Sequence, residues 1–411
     1  AAVLARARSM VPLLQRTFEN AMRVSSLASL GPGALAAVCE GLGDANLSIR
    51  LLAGIEVDSA APSHAMWKLG RLANASDAVS AAFATGPDSV IDALRNDGGA
   101  EANAFLGEFE QFLVDHGARG QNEYDPLALS WEVKPRIALA AIDLMRRSDE
   151  AQAPATRHDV AVIERDRIAA EVRGKIADDA ETAGMFEAAL GSAQLFLAGR
   201  ERAKTNVVVI INEIRVALRE YGQRLVERGV IEQVDQIFMV TDEELNRTRH
   251  HPETMSDTIS ERWQQFQTLH DAVPVFIVNG EVPSLTEMTK RGVSTAAPAV
   301  VGMVLIGAAG SGGVATGRAR VILDAADPED LEPGEVLIAP QTDPSWVPLF
   351  VPAAAVVVNV GAMGSHAMIV SRELGVPCVA SVANATDIIP NGAIITVDGN
   401  AGTVTIVALP D

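Results

Sequence analysis

The fold of this chain is decided by one stretch, Gly361-Ala-Met-Gly-Ser-His-Ala-Met-Ile-Val-Ser-Arg-Glu-Leu-Gly-Val-Pro377. It follows the apolar run 353–358, and a short apolar run bounded by turn residues predicts a buried strand. Small and polar residues then predict a turn, with a helix beginning near Ser365. Gly375, with a proline two residues later, predicts the end of that helix. The stretch is therefore predicted to form a loop and a short helix behind a strand.

His366 lies in the first turn of this predicted helix. Unpaired backbone N–H groups and the helix dipole favour bound anions there, and histidine can act as a covalent nucleophile. Gly364, Ser365 and Arg372 are candidates to support a phosphate beside it. From spacing alone, a helix-capping loop with an incidental histidine fits equally well. Ser365 is more consistent with a helix cap than with a nucleophile, and Arg372 is more consistent with helix-surface structure than with phosphate contact.

The stretch resembles the mobile phosphohistidine domain of the phosphoenolpyruvate-utilising enzymes. That motif runs Gly-Gly-x-x-Ser-His and then Ala-x-x-x-Arg-Glu-x-Gly-x-Pro, with Ala362 here in place of the second glycine. The resemblance extends over residues 310–407. It implies a swivelling domain whose histidine, His366, is phosphorylated at one site and delivers the phosphoryl group at another. The matching residues are Gly361, Ser365, His366, Ala367, Arg372, Glu373, Gly375 and Pro377.

The composition of the chain limits the classes of function. A net charge of −20 argues against nucleic acid and anionic membranes as partners, since both are bound through Lys and Arg. From Val301 onward there are three arginines and no lysine. A phosphate in this part would therefore depend on backbone amides, a helix terminus, or cations from another domain.

The cysteine content and the hydropathy predict a cytoplasmic protein. The two cysteines, Cys39 and Cys378, form no disulfide framework, and the sequence has no signal peptide and no apolar run near 18 residues. It also lacks a zinc pattern, a Walker A motif and a dinucleotide fingerprint. No metal site is predicted.

The distribution of apolar periodicity and turn residues along the sequence predicts an α + α/β architecture. Residues 1–295 have the periodicity of a large, mostly helical domain, residues 296–312 read as a flexible linker, and residues 313–411 predict a compact α/β domain. Within the helical part, 236–241 reads as a strand and Gly31-Pro-Gly33 as a turn. Strands in the α/β domain are predicted at 314–323, 335–339, 354–360, 378–380 and 393–397.

The helical part contains a segment, residues 111–125, similar to the substrate domain of rifampin phosphotransferase and its relatives. That family reads Tyr-Gly-His-Arg-Gly, then Glu and an acidic residue. Arg119, Glu123 and Asp125 match, while Ala118 replaces the histidine, which points to different chemistry or a different substrate. Glu123 and Asp125 are candidate acceptors of a hydroxyl proton.

A second matching segment carries Arg200, Lys204 and Arg215. Offsets of four and eleven residues place the three cations on one helical face, where they could balance a phosphoryl group. Surface salt bridging with Glu201 or Glu213 is the equally weighted alternative.

The resemblance also implies ATP and Mg²⁺, yet no nucleotide site is recognisable in the sequence. In single-chain relatives an ATP-grasp domain precedes the helical part. The nucleotide site is therefore expected either on a partner ATP-grasp subunit or upstream of residue 1. The split arrangement resembles one component of the two-component synthases that phosphorylate phenols or cresols.

The leading hypothesis is accordingly a phosphotransferase component with a covalent phosphohistidine intermediate and a small phenolic acceptor. A rifamycin-type antibiotic phosphotransferase and a phosphocarrier without acceptor chemistry are the alternatives. A pyruvate-linked enzyme is disfavoured, because no (β/α)₈ alternation follows His366.

Overall fold

The computed structural model describes residues 2–44, 46–273, 275, 278–290, 299–325 and 331–410. The chain forms two compact units. The larger unit contains Arg16–Glu123, Ala128–Val209 and Ala297–Asp411, and the smaller contains Ala1–Gln15, Tyr124–Leu127 and Ile210–Ala296.

The described residues before 291 form α-helices and short 3-10 helices, as predicted for the helical part. The α-helices are α1 Ala2–Leu27, α2 Leu30–Gly41, α3 Asn46–Leu51, α4 Ala61–Asn74, α5 Asp77–Ala84, α6 Val90–Asp97, α7 Ala100–His116, α8 Arg136–Arg146, α9 Pro154–Lys175, α10 Ala180–Glu227, α11 Leu245–His250 and α12 Ser256–His270.

The predicted turn at Gly31-Pro-Gly33 is wrong, because these residues lie inside α2. Proline is tolerated in the first turn of a helix, where its missing N–H would have no partner. Gly31 faces α10, and a Cβ at Gly31 would lie 2.4 Å from the backbone nitrogen of Ala193. The glycine therefore permits a close helix–helix approach.

The predicted strand at 236–241 is also wrong. Val234–Met239 forms a 3-10 helix with a capping box between Gln233 and Gln236. Ile237 is buried with Tyr221 and Leu225 of α10 in the core of the smaller unit. The apolar run is thus buried by helices, and short apolar runs do not distinguish the two structures.

The described residues from 299 onward form one eight-stranded mixed sheet in the order β1-β8-β7-β3-β4-β5-β6-β2, and they confirm the α/β character predicted for this part. The pairs β3–β4, β4–β5 and β5–β6 are parallel, and the other pairs are antiparallel. The strands are β1 Val304–Ile306, β2 Ala308–Ser311, β3 Val314–Val321, β4 Val336–Ala339, β5 Ala355–Val358, β6 Cys378–Ala380, β7 Ile394–Asp398 and β8 Thr403–Ala408, and the helices are α13 Val347–Phe350, α14 His366–Glu373 and α15 Ala385–Ile388.

All five predicted strands are present, and the structure adds β1, β2 and β8. Two of the additions correct the predicted linker 296–312, of which 296–298 lie outside the described residues. Val304–Ile306 pairs with β8, and Ala308–Ser311 pairs with β6. Strands this short, one of them built of Gly, Ala and Ser, leave no clear alternation in the sequence, so they read as linker.

The eight-stranded sheet with α13, α14 and α15, called the sheet domain below, packs on the other helices of the larger unit, called the helical side. One hydrophobic core contains Trp131 and Leu139 from the helical side together with Trp346 and Phe350 from the sheet side. Arg157 on α9 donates to the carbonyl oxygen of Val351 at 2.9 Å. The structure therefore has the sheet domain docked on helices of this unit.

One described stretch is long and apolar enough to cross a membrane by length and composition alone, Ala2–Gly41. A core helix of a soluble protein passes the same test, and one-third of its apolar window is buried. Cytoplasmic localisation stays a prediction.

Candidate functional site

His366 is the first residue of α14, in the loop-and-helix arrangement that the sequence predicts. Parallel strands β4 and β5 are buried along their length, and the loop follows the carboxyl end of β5. Gly361 needs to be glycine, because a Cβ there would lie 2.8 Å from the Cβ of Ala380. Ala362 is exposed, and its φ lies outside the left-handed region. The position that departs from the family motif therefore accommodates a methyl group without backbone strain.

The two ring nitrogens of His366 have different surroundings. Nδ1 lies 3.0 Å from Oγ1 of Thr342, which follows the neighbouring strand β4. Nε2 is buried and has no hydrogen-bond partner among the described residues. The ring of Phe350 packs edge-on, with centroids 5.8 Å apart. If Nδ1–H donates to Thr342, the lone pair is on Nε2, the nitrogen left without a partner.

Burial lowers the pKa of His366 well below its usual value, and Lys204, Arg119 and Arg200 lower it further. The imidazole is consequently neutral at pH 7, as a nucleophile must be. All three cations come from the helical side of the larger unit. The cations thus face a histidine carried by the sheet domain.

A network of ion pairs surrounds these cations. Arg119 donates to both carboxylate oxygens of Glu123 at 3.1 Å, and Lys204 Nζ lies 3.1 Å from Glu123 Oε1. Arg119 and Glu123 are buried. Arg200 pairs with Glu201 at 2.6 Å, one of the two partners considered from the sequence. Three cations and two carboxylates leave a net positive site for an anion.

Arg215 and Asp125 belong to the smaller unit, where they have structural partners. Arg215 is buried and donates to the carbonyl oxygens of Asp125 at 3.0 Å and Pro126 at 3.3 Å, and to Asn212 Oδ1 at 2.8 Å. The exposed carboxylate of Asp125 accepts from the N–H of Leu127 at 2.9 Å. Helical spacing predicted a phosphate contact for Arg215, but its described bonds fix the backbone of residues 125–126.

Arg372 is buried rather than on the helix surface. Its guanidinium donates to the carbonyl oxygen of Met363 at 2.7 Å and to that of Gly310 at 3.3 Å. Burial lowers the pKa of Arg372 to about 10. The residue therefore fastens the histidine loop to the start of the sheet domain, and the prediction of helix-surface structure is wrong.

The two remaining loop candidates flank His366 on its N-terminal side. Ser365 occupies the N-cap position, yet its hydroxyl makes no capping bond and is buried without a partner among the described residues. The predicted cap is therefore confirmed as a position, while the side-chain capping bond is absent. Gly364 is exposed, and a Cβ there would meet no described atom within 4 Å.

Asp343 was not among the site residues predicted from the sequence. Its carboxylate accepts from the N–H of Asn122 at 2.6 Å, and from the N–H and hydroxyl of Ser345. Burial raises the pKa of Asp343. The residue joins the loop after β4 to the helical-side loop that contains Glu123. The polar Thr342-Asp343 pair between two apolar runs was the available signal.

Glu373 and His158 were also missed. Glu373 is buried at the end of α14, and its Oε1 accepts from the N–H of Ile55 at 2.8 Å. Its Oε2 lies 3.5 Å from Nδ1 of His158 on α9. The neighbouring carboxylate of Glu373 raises the pKa of His158, and burial raises that of Glu373. These contacts hold the histidine-bearing helix against the helical side.

Within the described ranges, no group of three or more His, Cys, Asp or Glu side chains is arranged to hold a metal ion. The expected Mg²⁺ and ATP were assigned to another unit, so this finding does not test them.

Two family models match this chain. Residues 20–201 match the fourth domain of rifampicin phosphotransferase, and residues 331–402 match the mobile domain of PEP-utilising enzymes. The first covers Arg119 and Arg200 but ends before Lys204, and the second covers the loop of His366.

Several curated proteins are similar over about three quarters of this chain. Rifampicin phosphotransferase of Streptomyces sviceus is 30% identical over 78% of this chain and 36% of its own length. An uncharacterised phosphotransferase of Bacillus subtilis, YvkC, is 27% identical over 75% and 37%. Prodigiosin synthesizing transferase PigC of Serratia marcescens is 29% identical over 74% and 34%. The chain spans about a third of the length of these relatives.

Proposed function

Because this chain belongs to the rifampicin phosphotransferase-like family of PEP-utilising proteins, we propose that it carries a phosphoryl group on Nε2 of His366 and transfers it to the hydroxyl of a small acceptor. One observation carries the proposal: Nε2 is buried with no partner in the described structure, and Arg119, Lys204 and Arg200 act on its ring. A buried polar atom without a partner is costly, and a phosphoryl group would supply both the missing bond and the charge that three cations balance.

In the first half-reaction, Nε2 attacks phosphorus, a P–N bond forms, and the bond from phosphorus to the leaving oxygen breaks. The Nδ1 proton passes to water, so the phosphorylated ring is neutral apart from its phosphoryl group. Thr342 fits both forms, since a hydroxyl can accept from Nδ1–H before the step and donate to Nδ1 after it. Thr342 can therefore hold the ring of His366 in place both before and after Nδ1 loses its proton.

In the second half-reaction, the acceptor oxygen attacks phosphorus and the P–N bond breaks with its electron pair returning to Nε2. Nδ1 takes up a proton from water in the same step, so that a neutral imidazole is regenerated. The hydroxyl proton passes to a carboxylate, for which Glu123 is the candidate, and the product is a phosphate monoester. Preorganised cations stabilise the charge that spreads over the phosphoryl oxygens in the transition state. Arg119 and Lys204 are fixed for this role by Glu123.

The donor in this proposal is ATP bound with Mg²⁺ on an ATP-grasp unit, where ATP, one water molecule and His366 give phosphohistidine, AMP and phosphate. That unit is a partner subunit or belongs to a longer form of the polypeptide, since the relatives extend well beyond the matched region. A small phenol such as cresol is the leading acceptor and a rifamycin-type antibiotic the second. One relative is a rifampicin phosphotransferase and another a prodigiosin synthesizing transferase, which supports the proposal that acceptors differ within the family.

The proposal is tested without any partner by using potassium phosphoramidate as a chemical phosphoryl donor. We expect mass spectrometry of the intact chain to show one added phosphoryl group, mapped to His366. The variant His366→Gln should lose the label, and His250→Gln, at an exposed histidine of α11, should keep it. A label that survives in His366→Gln would overturn the proposal.

A second experiment locates the ATP site. With ATP and Mg²⁺ we expect the 411-residue chain alone to stay unlabelled, and addition of the ATP-grasp protein to give phosphohistidine and AMP. Labelling by ATP in the absence of that protein would refute the assignment of the nucleotide site to another unit.

A further inference from the structure

A cavity of about 240 Å³ lies beside the histidine loop in the larger unit. Its helical wall includes Ser29 and Gly33 at the start of α2, Leu52, and Leu197 and Arg200 of α10. Its other wall is Met363 and Gly364, the residues that precede Ser365 and His366. The cavity therefore opens next to the loop that would carry the phosphoryl group.

We propose that this cavity binds the acceptor, and that the acceptor is a monocyclic apolar hydroxyl compound rather than a macrocycle. This inference rests on the proposed function, because it assigns the second substrate of that same site. Pockets for drug-sized ligands measure about 300–1,000 Å³, so this one is below the range that a rifamycin-sized molecule needs.

The chemistry of the walls agrees with this class of ligand. Leu52, Leu197 and Met363 provide an apolar surface for a ring. Arg200 provides a charged group, and the same residue lowers the pKa of His366. A hydroxyl directed toward Arg200 would therefore be directed toward the surroundings of the reacting histidine. Arg200 would also stabilise the acceptor oxygen as its proton leaves.

The two walls come from two domains, so the cavity is complete only while the sheet domain is docked. Acceptor binding and docking are then linked, and each must favour the other by the same factor. An acceptor in the cavity would hold the phosphohistidine in place. An empty cavity would leave the sheet domain freer to depart.

Gly33 gives a direct test of the cavity. A Cβ built on it meets no described atom within 4 Å, so the leucine of Gly33→Leu can extend into the cavity without a clash. The substitution also improves helix propensity in α2, so a folding defect is not expected. Gly107→Leu is the matched control, because Gly107 is an exposed glycine of α7 with the same open surroundings and is not among the cavity residues.

The first measurement is calorimetric titration of the unphosphorylated full chain with p-cresol. We expect Gly33→Leu to weaken binding at least tenfold and Gly107→Leu to leave it unchanged. Rifamycin SV is expected not to bind. Unaltered cresol affinity in Gly33→Leu, or rifamycin binding as tight as that of cresol, would overturn the inference.

The second measurement is loss of phosphoramidate-derived label from His366 upon addition of p-cresol, with cresyl phosphate as the product. Discharge should be at least tenfold slower in Gly33→Leu than in Gly107→Leu. A chain that cannot be labelled at all refutes the proposed function, whereas a labelled chain that p-cresol does not discharge refutes the cavity assignment. Hydrogen exchange of the α14 amides should slow when p-cresol is added, and an unchanged rate would refute the linkage to docking.

Discussion

The carboxylate of Glu373, seven residues after His366 on α14, lies 3.5 Å from Nδ1 of His158 on α9. This pair joins the helix of the candidate phosphoryl carrier to the helical side of the larger unit. The carboxylate of Glu373 raises the pKa of His158, so the imidazolium is favoured in the folded, docked structure.

The pair makes stability depend on pH. A raised histidine pKa contributes stability that is fully present below the unfolded value of 6.5 and is lost as the pH rises through the folded pKa. The raised pKa of Glu373 has the same sign, since its protonated form is favoured by folding. We expect the melting temperature to fall as the pH rises above about 6.5, and to fall less in His158→Gln. His250→Gln is the control. If the melting temperature of His158→Gln fell with pH as steeply as that of the wild type, the prediction would be contradicted.

Thr342 is a positioning residue for the ring of His366. Replacing it with valine should slow phosphorylation of His366 by about 2- to 13-fold, because one hydrogen bond contributes about 0.5–1.5 kcal/mol. Thr342→Ser keeps the hydroxyl and should restore most of the rate. The ¹⁵N chemical shifts of His366 should report the Nδ1–H tautomer in the wild type and a mixture in Thr342→Val. Identical shifts in the two proteins would exclude this role.

Lys204 is expected to act in transfer to the acceptor. Lys204→Gln should slow discharge of phosphohistidine to p-cresol by about 10²-fold, the usual loss when one charge-stabilising group is removed. The rate at which phosphoramidate labels His366 should change far less than the rate of discharge. Lys68→Gln, which removes an exposed lysine paired with Glu108, is the control. Discharge in Lys204→Gln within twofold of that control would remove Lys204 from the mechanism.

Gly31 should be irreplaceable for packing. Gly31→Ala places a methyl group 2.4 Å from the backbone nitrogen of Ala193, and overpacking of this kind costs about 1–3 kcal/mol. Gly107→Ala, in an open helical position, should instead stabilise by about 0.5–1 kcal/mol. Urea unfolding of the two variants measures both values. A Gly31→Ala protein as stable as the wild type would show that α2 and α10 can separate without cost.

The sequence was sufficient where local pattern determines structure. Residues 361–377 and the five predicted strands are found where periodicity and turn residues placed them, because buried parallel strands are continuous apolar runs. Arg119, Lys204 and Arg200 were singled out through a resemblance to a known family. They lower the pKa of His366, and their roles in the reaction stay a prediction.

The failures concern contacts between distant residues. Nothing local to Thr342 reveals that it meets His366, since the contact depends on β4 and β5 being neighbours. The helical spacing of Arg215 describes a face but not its partners, and Gly31-Pro-Gly33 reads as a turn unless the approach of α10 is known. The pairing of Ala308–Ser311 with β6 likewise depends on a strand almost 70 residues further along the chain.

The charges near His366 are distributed unequally between the two sides of the docked structure. The sequence from residue 313 has three arginines and no lysine against eleven Asp and Glu residues, and one of these arginines, Arg372, is buried against backbone carbonyls. The cations that act on His366 are all on the helical side. A phosphorylated sheet domain should therefore be attracted to the helices more strongly than an unphosphorylated one. We expect the phosphorylated sheet domain to dock on the helices more tightly than the unphosphorylated one. Transfer of the phosphoryl group to the acceptor then removes the negative charge and weakens the attraction, so the sheet domain is released after transfer.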